Sequence, residues 1–307
     1  MNQEYINVAL CNDEKYEPGL HVTLLSLLRN FDDDKRKLRI FFFFKGFGEK
    51  DIAKLHGTLL STGKRYELVP RKCDTKLFKG FPRLHGNYLT YVRLLVPDLL
   101  RESRIIFLDS DVIVNTNVAW LFDTDLKGKC LGVVANGKVG HTNDQGLLKS
   151  LGMTADTPYF NAAVLLIDGE RWRKRRYTDA CLEFLRAHKS AKITVDQTSL
   201  NYVLRDDYFG LPDRFNISVY PTDRPIEIVG REGIFHFCGS PKPWDVLGKT
   251  LHGNYSLFER LHSQTALKRI HPGRQFMPKY LWRTALLARS YWKNISARFS
   301  RRRERDT

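Results

Sequence analysis

The sequence predicts an α/β fold in which a mostly parallel central sheet carries helices on both faces. Three observations predict it. Strand-like and helix-like segments alternate from the N-terminus onward. Apolar runs such as Ile105–Leu108 are too short for a typical helix and are rich in bulky and β-branched residues, so they read as buried strands. Polar, acid-bearing segments follow these runs, at the strand ends where such sheets bind ligands.

The elements follow in order. Ile6–Leu10 (I-N-V-A-L) reads as the first buried strand, and Cys11–Tyr16 (C-N-D-E-K-Y) as the polar loop after it. Pro18 and Gly19 open a helix whose apolar face is Leu20, Thr23, Leu24, Leu27 and Leu28. Leu38–Phe44 is a second strand, Glu49–Thr62 a helix stopped by Gly63, and Tyr66–Val69 a third strand. Lys76–Asn87 is a basic, irregular loop. Tyr88–Val96 begins a helix that Pro97 ends or kinks. Leu131–Ala135 and Phe160–Ile167 read as strands, Trp172–His188 as one helix, and Asp196–Leu204 as a short helix. Ile234–Phe237 is a late strand that runs into H-F-C-G-S-P-K-P-W.

The chain of 307 residues is long enough for one large domain plus an appendage, placed at 1–252 and 253–307. Apolar residues at 42% and charged residues at 27% are those of a globular protein, and no apolar stretch is long enough to span a bilayer. The N-terminus enters a strand with no basic and apolar leader before it, which reads as no secretory signal. Five scattered cysteines without C-x-x-C fit a reducing compartment and argue against a cysteine zinc site. The net charge of +16 is uneven: from Lys268 onward there are 12 Lys and Arg against 2 acids.

Two stretches carry the chemistry. In R-I-I-F-L-D-S-D-V-I-V-N, Asp109 and Asp111 lie two residues apart at the end of a strand, on the same side of extended chain. Paired carboxylates there are costly to bury unless a cation neutralises them, and their hard oxygens favour Mn²⁺ or Mg²⁺, ions that also take phosphate oxygens. The alternative is a solvated turn with two caps. In H-F-C-G-S-P-K-P-W, His236 is either a metal ligand or a satisfied core histidine. Gly239 permits close backbone approach, and Lys242 between prolines is a cation in a stiff turn, suited to a phosphate. A second D-T-D, at Asp123 and Asp125, follows W-L-F rather than a strand and reads as loop carboxylates.

D-S-D after an apolar strand, Y-F-N-A-A-V-L-L-I-D, V-D-Q-T-S-L-N and H-F-C-G-S-P-K-P-W occur here in the order seen in glycosyltransferase family 8. The chain resembles its bacterial lipopolysaccharide and lipo-oligosaccharide α-galactosyl- and α-glucosyltransferases from about Ile6 to Trp244. The resemblance implies a single Rossmann-like, GT-A type domain that binds a UDP-sugar. It implies that Asp109, Asp111 and His236 hold Mn²⁺, with Mg²⁺ as the alternative ion, against the UDP diphosphate. Asp13 matches a uracil or ribose contact and Tyr16 the aromatic on the base, while Lys15 stands where many members have Asn. Arg93 matches the basic residue of T-Y-x-R-L near the donor phosphate and sugar, and Ser110 falls among the donor contacts. Asn161, Asp196 and Gln197 match donor-sugar contacts, with Gln197 or Asp196 nearest the reactive carbon. Gly239 and Lys242 match late diphosphate contacts. Read without the family, Asn161 satisfies backbone at a strand start, Asp196 caps a helix, and Arg93 is a surface charge.

In the tail, Leu281, Ala285, Ala288, Trp292, Ile295 and Phe299 make one helical stripe opposite Lys279, Arg283 and Lys293. Trp282, Tyr291 and Trp292 add aromatics, and Arg301–Arg303 extend the charge. This pattern predicts a helix lying in an anionic membrane surface, with a helix packed on the domain as the alternative. The expected protein is cytoplasmic, peripheral on the inner face of the cell membrane, and moves a hexose from UDP-hexose to a lipid-linked glycan. A protein or polysaccharide acceptor is the alternative within the family. No nucleic-acid module is recognisable, so the basic charge is not assigned to nucleic acid. The quoted motifs all end by Trp244, so the tail is expected to supply no donor contact.

Overall fold

In the computed structural model the described residues are 4–83, 87–189, 195–268, 281–282, 284–285 and 287–303. The chain forms strands β1 (Tyr5–Asp13), β2 (Lys37–Lys45), β3 (Tyr66–Lys72), β4 (Arg104–Leu108), β5 (Val112–Asn115) and β6 (Leu131–Val133). It continues with β7 (Gly137–Lys138), β8 (Pro158–Tyr159), β9 (Val164–Asp168), β10 (Tyr208–Gly210), β11 (Ile217–Val219) and β12 (Gly233–Phe237). Seven strands make the central sheet in the order β10-β6-β9-β4-β1-β2-β3. Its pairings are parallel except those of β9, which runs against β4 and β6.

The alternation of side chains along the strands explains why both faces are covered. Ile6, Val8 and Leu10 of β1, with Ile40 and Phe42 of β2, pack on one side against helices α1 (Glu17–Arg29) and α2 (Glu49–Leu60). Ala9, Phe41, Phe43, Ile105 and Phe107 pack on the other against α3 (Val92–Leu100) and the later helices. Each fully buried Phe or Leu here contributes about 1.5–3 kcal/mol of apolar transfer.

Three local readings change. The segment read as one helix over Trp172–His188 is two, Gly169–Lys174 and Tyr177–Ala187, separated where Arg176 takes a left-handed conformation at φ 54°. Pro97 does not end its helix: α3 runs to Leu100, and Arg101 at φ 57° closes it. The segment Phe160–Ala163 lies ahead of strand β9, where it wraps the cleft.

A second, three-stranded sheet, β11-β12-β5, places the site. The chain leaves the central sheet at Leu108, turns through Asp109–Asp111, and enters the second sheet as β5. There β5 pairs antiparallel with β12 in a register that sets His236 opposite Val112, and Phe237 N–H donates to the Asp111 carbonyl at 2.9 Å. Residues more than a hundred apart thus meet through backbone pairing.

The segment after residue 252 is not all appendage. Helix Tyr255–His262 buries Leu257 and Phe258 with Val22, Phe237 and Trp244. Helix Ala288–Arg303 packs on Leu251 through Tyr291 and Ile295, together with Leu287 just ahead of it. Ile295 and Tyr291 therefore face the domain, while Ala285, Ala288 and Trp292 face outward, Trp292 at 72% exposure. Lys279 and Arg283 lie outside the described residues, as does the side chain of Phe299.

Candidate active site

The carboxyl ends of β1 and β4, the start of helix Val195–Val203 and the loop after β12 enclose a cleft of about 430 Å³. Asp13, Tyr16, Arg93, Asp109, Ser110, Asp111, Asn161, Gln197, Gly239 and Lys242 all line it. His236 and Asp196 stand behind the wall, at 6% and 3% exposure.

On the cleft floor, one ligand atom each of Asp109, Asp111 and His236 lies within 4.8 Å of the others, and among the described residues no second such group of three occurs. Asp111 divides its two oxygens. Oδ2 pairs with Lys242 Nζ at 2.7 Å, while Oδ1, buried and without a hydrogen-bond partner, lies 3.4 Å from His236 Nε2. Burial opposes ionisation of Asp111, yet Lys242 and His236 outweigh it and hold its carboxyl below the ordinary range. Burial pushes the Asp109 carboxyl up, against the pull of Arg93. Two hard carboxylates, one imidazole and an orphaned buried oxygen form a donor set that fits a divalent cation.

Arg93 is the structural centre of the opposite wall. Its Nη2 pairs with Asp109 Oδ1 and its Nε with Asp196 Oδ2, both at 2.7 Å. Its Nη1 donates to the Ala162 carbonyl. Its guanidinium also lies 4.8 Å from the Phe107 ring centroid. Arg93 is therefore a buried strut and not a surface charge. Asp196, the other end of that strut, also accepts from Thr90 Oγ1, so its two oxygens are both engaged. Gln197, the next residue, faces the cleft, and its Oε1 accepts from Ala162 N–H at 3.1 Å. That bond fixes which end of the amide is oxygen.

The remaining residues shape the rim. Asp13 caps the short turn Glu14–Tyr16 by accepting from Lys15 N–H at 3.0 Å, and it accepts from Asn87 Nδ2 at 2.7 Å. Tyr16 packs edge-on to Trp244 with ring centroids 5.9 Å apart. Ser110 Oγ donates to Asn12 Oδ1 at 2.8 Å, a buried link between the β4 and β1 ends. Asn161 accepts from Ala163 N–H at 2.9 Å and from Asn216 Nδ2 at 3.2 Å, so it does satisfy backbone while lining the cleft. At Gly239, φ +71°, a Cβ would make only ordinary contacts, 3.7 Å from Pro221 and 3.9 Å from Tyr220, so it is glycine for its conformation rather than for room.

Several cleft residues were not legible as such. Asn12, Asn87 and Thr90 act through side-chain bonds to Ser110, Asp13 and Asp196, partners that only the fold brings together. Thr90 belongs to the quoted T-Y-x-R-L and carried a signal; Asn87, in a loop, did not. Ser290 of the C-terminal helix also lines the cleft.

The architecture and the comparisons agree. The chain is 27% identical over 260 residues to General stress protein A of Bacillus subtilis (strain 168), covering 79% of this chain and 88% of that protein. It is 27% identical over 252 residues to Glycosyltransferase GlyF of Streptococcus pneumoniae serotype 4, with 78% of this chain covered but 57% of that protein. It is 24% identical over 266 residues to the Lipopolysaccharide 1,2-glucosyltransferase of Escherichia coli (strain K12), covering 78% and 73%. Among solved structures, galactosyltransferase LgtC in complex with donor and acceptor sugar analogues superposes with a TM-score of 0.69 at 24% identity, covering 85% of this chain and 96% of that one. That likeness is one of fold, the GT-A type α/β architecture. The sequence profile described as glycosyl transferase family 8 matches residues 7–248, nearly all of the sheet and every residue of the cleft floor, and the chain belongs to that family.

Proposed function

We propose that this glycosyltransferase moves galactose or glucose from UDP-hexose to a hydroxyl of a lipid-linked glycan such as lipopolysaccharide core, with retention of the α configuration. The observation that carries the reading is the buried Asp109–Asp111–His236 group with Lys242 beside it, at the floor of a cleft in a family 8 chain. Mn²⁺, or Mg²⁺ in its stead, is the ion these ligands suit; when bound it supplies Lewis-acid neutralisation of the departing diphosphate. The hexose and the glycan acceptor are argued from the glucosyl- and galactosyltransferase relatives.

The chain's own groups divide the work. Asp13 and Tyr16 hold the nucleoside at the β1 end. Lys242 offers its ammonium to the leaving phosphate, and the Gly239 backbone allows that phosphate close approach. Arg93 orients Asp109 by a direct ion pair and holds Asp196 by a second one behind the wall. Asp196 is thereby a positioning residue: both of its oxygens are taken, and it does not line the cleft. That argues against Asp196 as the nucleophile of a double displacement. Gln197 does face the cleft, and a neutral amide is a poor nucleophile. Its Oε1 keeps a second lone pair beyond the Ala162 bond, able to stabilise positive charge at the anomeric carbon. Front-face attack through an oxocarbenium-like state follows, with the leaving phosphate oxygen accepting the acceptor's proton.

No helix among the described residues is long and apolar enough to cross a membrane. Leu281, Trp282 and Trp292 are exposed large apolar side chains, on a tail rich in Lys and Arg. That combination supports peripheral docking on the anionic inner face of the cell membrane, close to a lipid-linked acceptor. The test is donor hydrolysis, which needs no acceptor: UDP-galactose, UDP-glucose and other UDP-sugars are incubated with the enzyme, with and without Mn²⁺. Mn²⁺-dependent release of UDP from a UDP-hexose is expected. Release from none of them would refute the donor assignment.

A further inference from the structure

Helix Ala288–Arg303 is bonded to the loop that carries Lys242. Tyr291 is buried at 6% exposure, and its hydroxyl donates to the Val246 carbonyl at 2.7 Å. One turn on, Asn294 Nδ2 donates to the Ser240 carbonyl at 2.7 Å. The two accepting carbonyls bracket Pro241-Lys242-Pro243, a segment whose prolines lack N–H donors of their own. Within the loop, the Lys242 amide donates to Asp245 Oδ2 at 2.9 Å and the Asp245 amide to the Lys242 carbonyl at 3.0 Å. Those bonds set the turn's internal shape. The helix bonds tie the loop to the C-terminal helix, while Trp244, buried with Phe237 and Phe258, and the Lys242 Nζ bond to the Phe237 carbonyl tie it to the domain. Ser290, on the same face of the helix, lines the cleft beside Gly239, Ser240 and Lys242.

We propose that the C-terminal helix is a strap that completes the donor site: Ser290 closes the cleft wall, and Tyr291 and Asn294 are positioning residues for Lys242 and Gly239. This rests on the reading of the cleft as a UDP-sugar site. Lys242 must sit where it pairs with Asp111 at 2.7 Å and still reaches a phosphate, so small displacements of its loop weaken the nucleotide's hold. The outer face of the same helix carries Arg289 and Trp292, both exposed and neither among the residues that line the cleft.

The experiment compares wild type, Tyr291→Phe, Asn294→Ala, the double variant and Arg289→Ala in the full chain. UDP affinity is titrated calorimetrically with Mn²⁺ present, and KM and kcat are measured for UDP-hexose hydrolysis. Tyr291→Phe removes the bond to the Val246 carbonyl, and Asn294→Ala removes the bonds to the Ser240 carbonyl and, within the helix, to the Ser290 carbonyl. Each is expected to weaken UDP binding about two- to ten-fold, the double more, with KM rising more than kcat falls. Arg289→Ala, on the same helix, is expected to bind UDP as wild type does. Melting temperatures of all five proteins, measured alongside, separate loop displacement from loss of fold. Wild type that binds UDP while the double variant binds it equally well would overturn the strap. Equal losses in Arg289→Ala would overturn it too, since they would reflect helix stability. Wild type that fails to bind UDP would overturn the donor reading itself.

Discussion

At the scale of residues, the account turns on Arg93 and Gln197. Arg93 is buried between two carboxylates, and desolvation works against its charge while Asp109 and Asp196 hold its pKa up. Removing one member of such a group leaves the others charged and unpaired. Arg93→Met should therefore destabilise the fold by about 3–5 kcal/mol. Arg93→Lys should recover part of that, since an ammonium keeps the charge but cannot serve Asp109, Asp196 and the Ala162 carbonyl in one plane. Urea unfolding of both variants measures it; a loss below about 1 kcal/mol in Arg93→Met would show that the pairs are merely solvated. Gln197→Ala should lower turnover far more than it raises the donor's KM, because its lone pair matters most to the charged transition state. Normal turnover in that variant would remove Gln197 from the chemistry, and a covalent hexosyl adduct on it, found by mass spectrometry, would reverse the front-face assignment. At this scale the sequence was legible where residue type and motif coincided. Ten of the named contacts line one cleft, but His236 and Asp196 are buried behind its lining, Asp196 engaged by Arg93 and Thr90. Side-chain direction at a helix start is set by packing and is not written in V-D-Q-T-S-L-N.

At the scale of elements, the register of β5 on β12 and the seat of α1 build the Asp109–Asp111–His236 corner. Gly19, at the start of α1, has no room for a side chain. A Cβ there would stand 2.5 Å from the Ser110 carbonyl oxygen and 2.4 Å from the Trp244 ring. Because one obstacle is backbone of the D-S-D turn, relief must come by moving either the helix or the turn. Gly19→Ala is expected to cost about 1–3 kcal/mol in stability and to weaken Mn²⁺-dependent UDP binding as well. Thermal unfolding and titration check both; full UDP affinity in this variant would show that α1 moves and the turn does not. Strand positions were readable from apolar runs because burial on both faces leaves few polar positions to confuse them. The break at Arg175–Arg176 was not, since no Gly or Pro marks it and Arg176 itself takes the left-handed conformation. Strand β12 was readable, but its partner was not: pairing between residues 112–115 and 233–236 is a long-range choice that no local pattern encodes.

At the scale of the whole molecule, the excess positive charge is concentrated in a cation-rich C-terminal end. The sequence showed that excess, and it showed aromatics at helical spacing. It could not show that Leu287, Tyr291 and Ile295 would turn inward, because the apolar face of a short amphipathic helix fits a lipid surface and a protein groove alike. The inner face packs on Leu251, and Trp282 and Trp292 remain exposed outside. The full chain should co-sediment with anionic vesicles, less at high salt but not to zero, because the apolar contribution is unscreened. A chain ending before Leu281 should lose that binding and, through the lost strap, part of its UDP affinity. Equal sedimentation of the two chains would exclude this helix from the membrane contact. The central claim is that the Asp109–Asp111–His236 corner binds a divalent ion that carries the nucleotide diphosphate. Calorimetric titration of UDP into wild type and Asp111→Asn, with and without Mn²⁺, tests it most directly. The account predicts tight UDP binding only for wild type with Mn²⁺, with the Asp111→Asn protein still folded; unchanged, metal-dependent UDP binding by Asp111→Asn would contradict it.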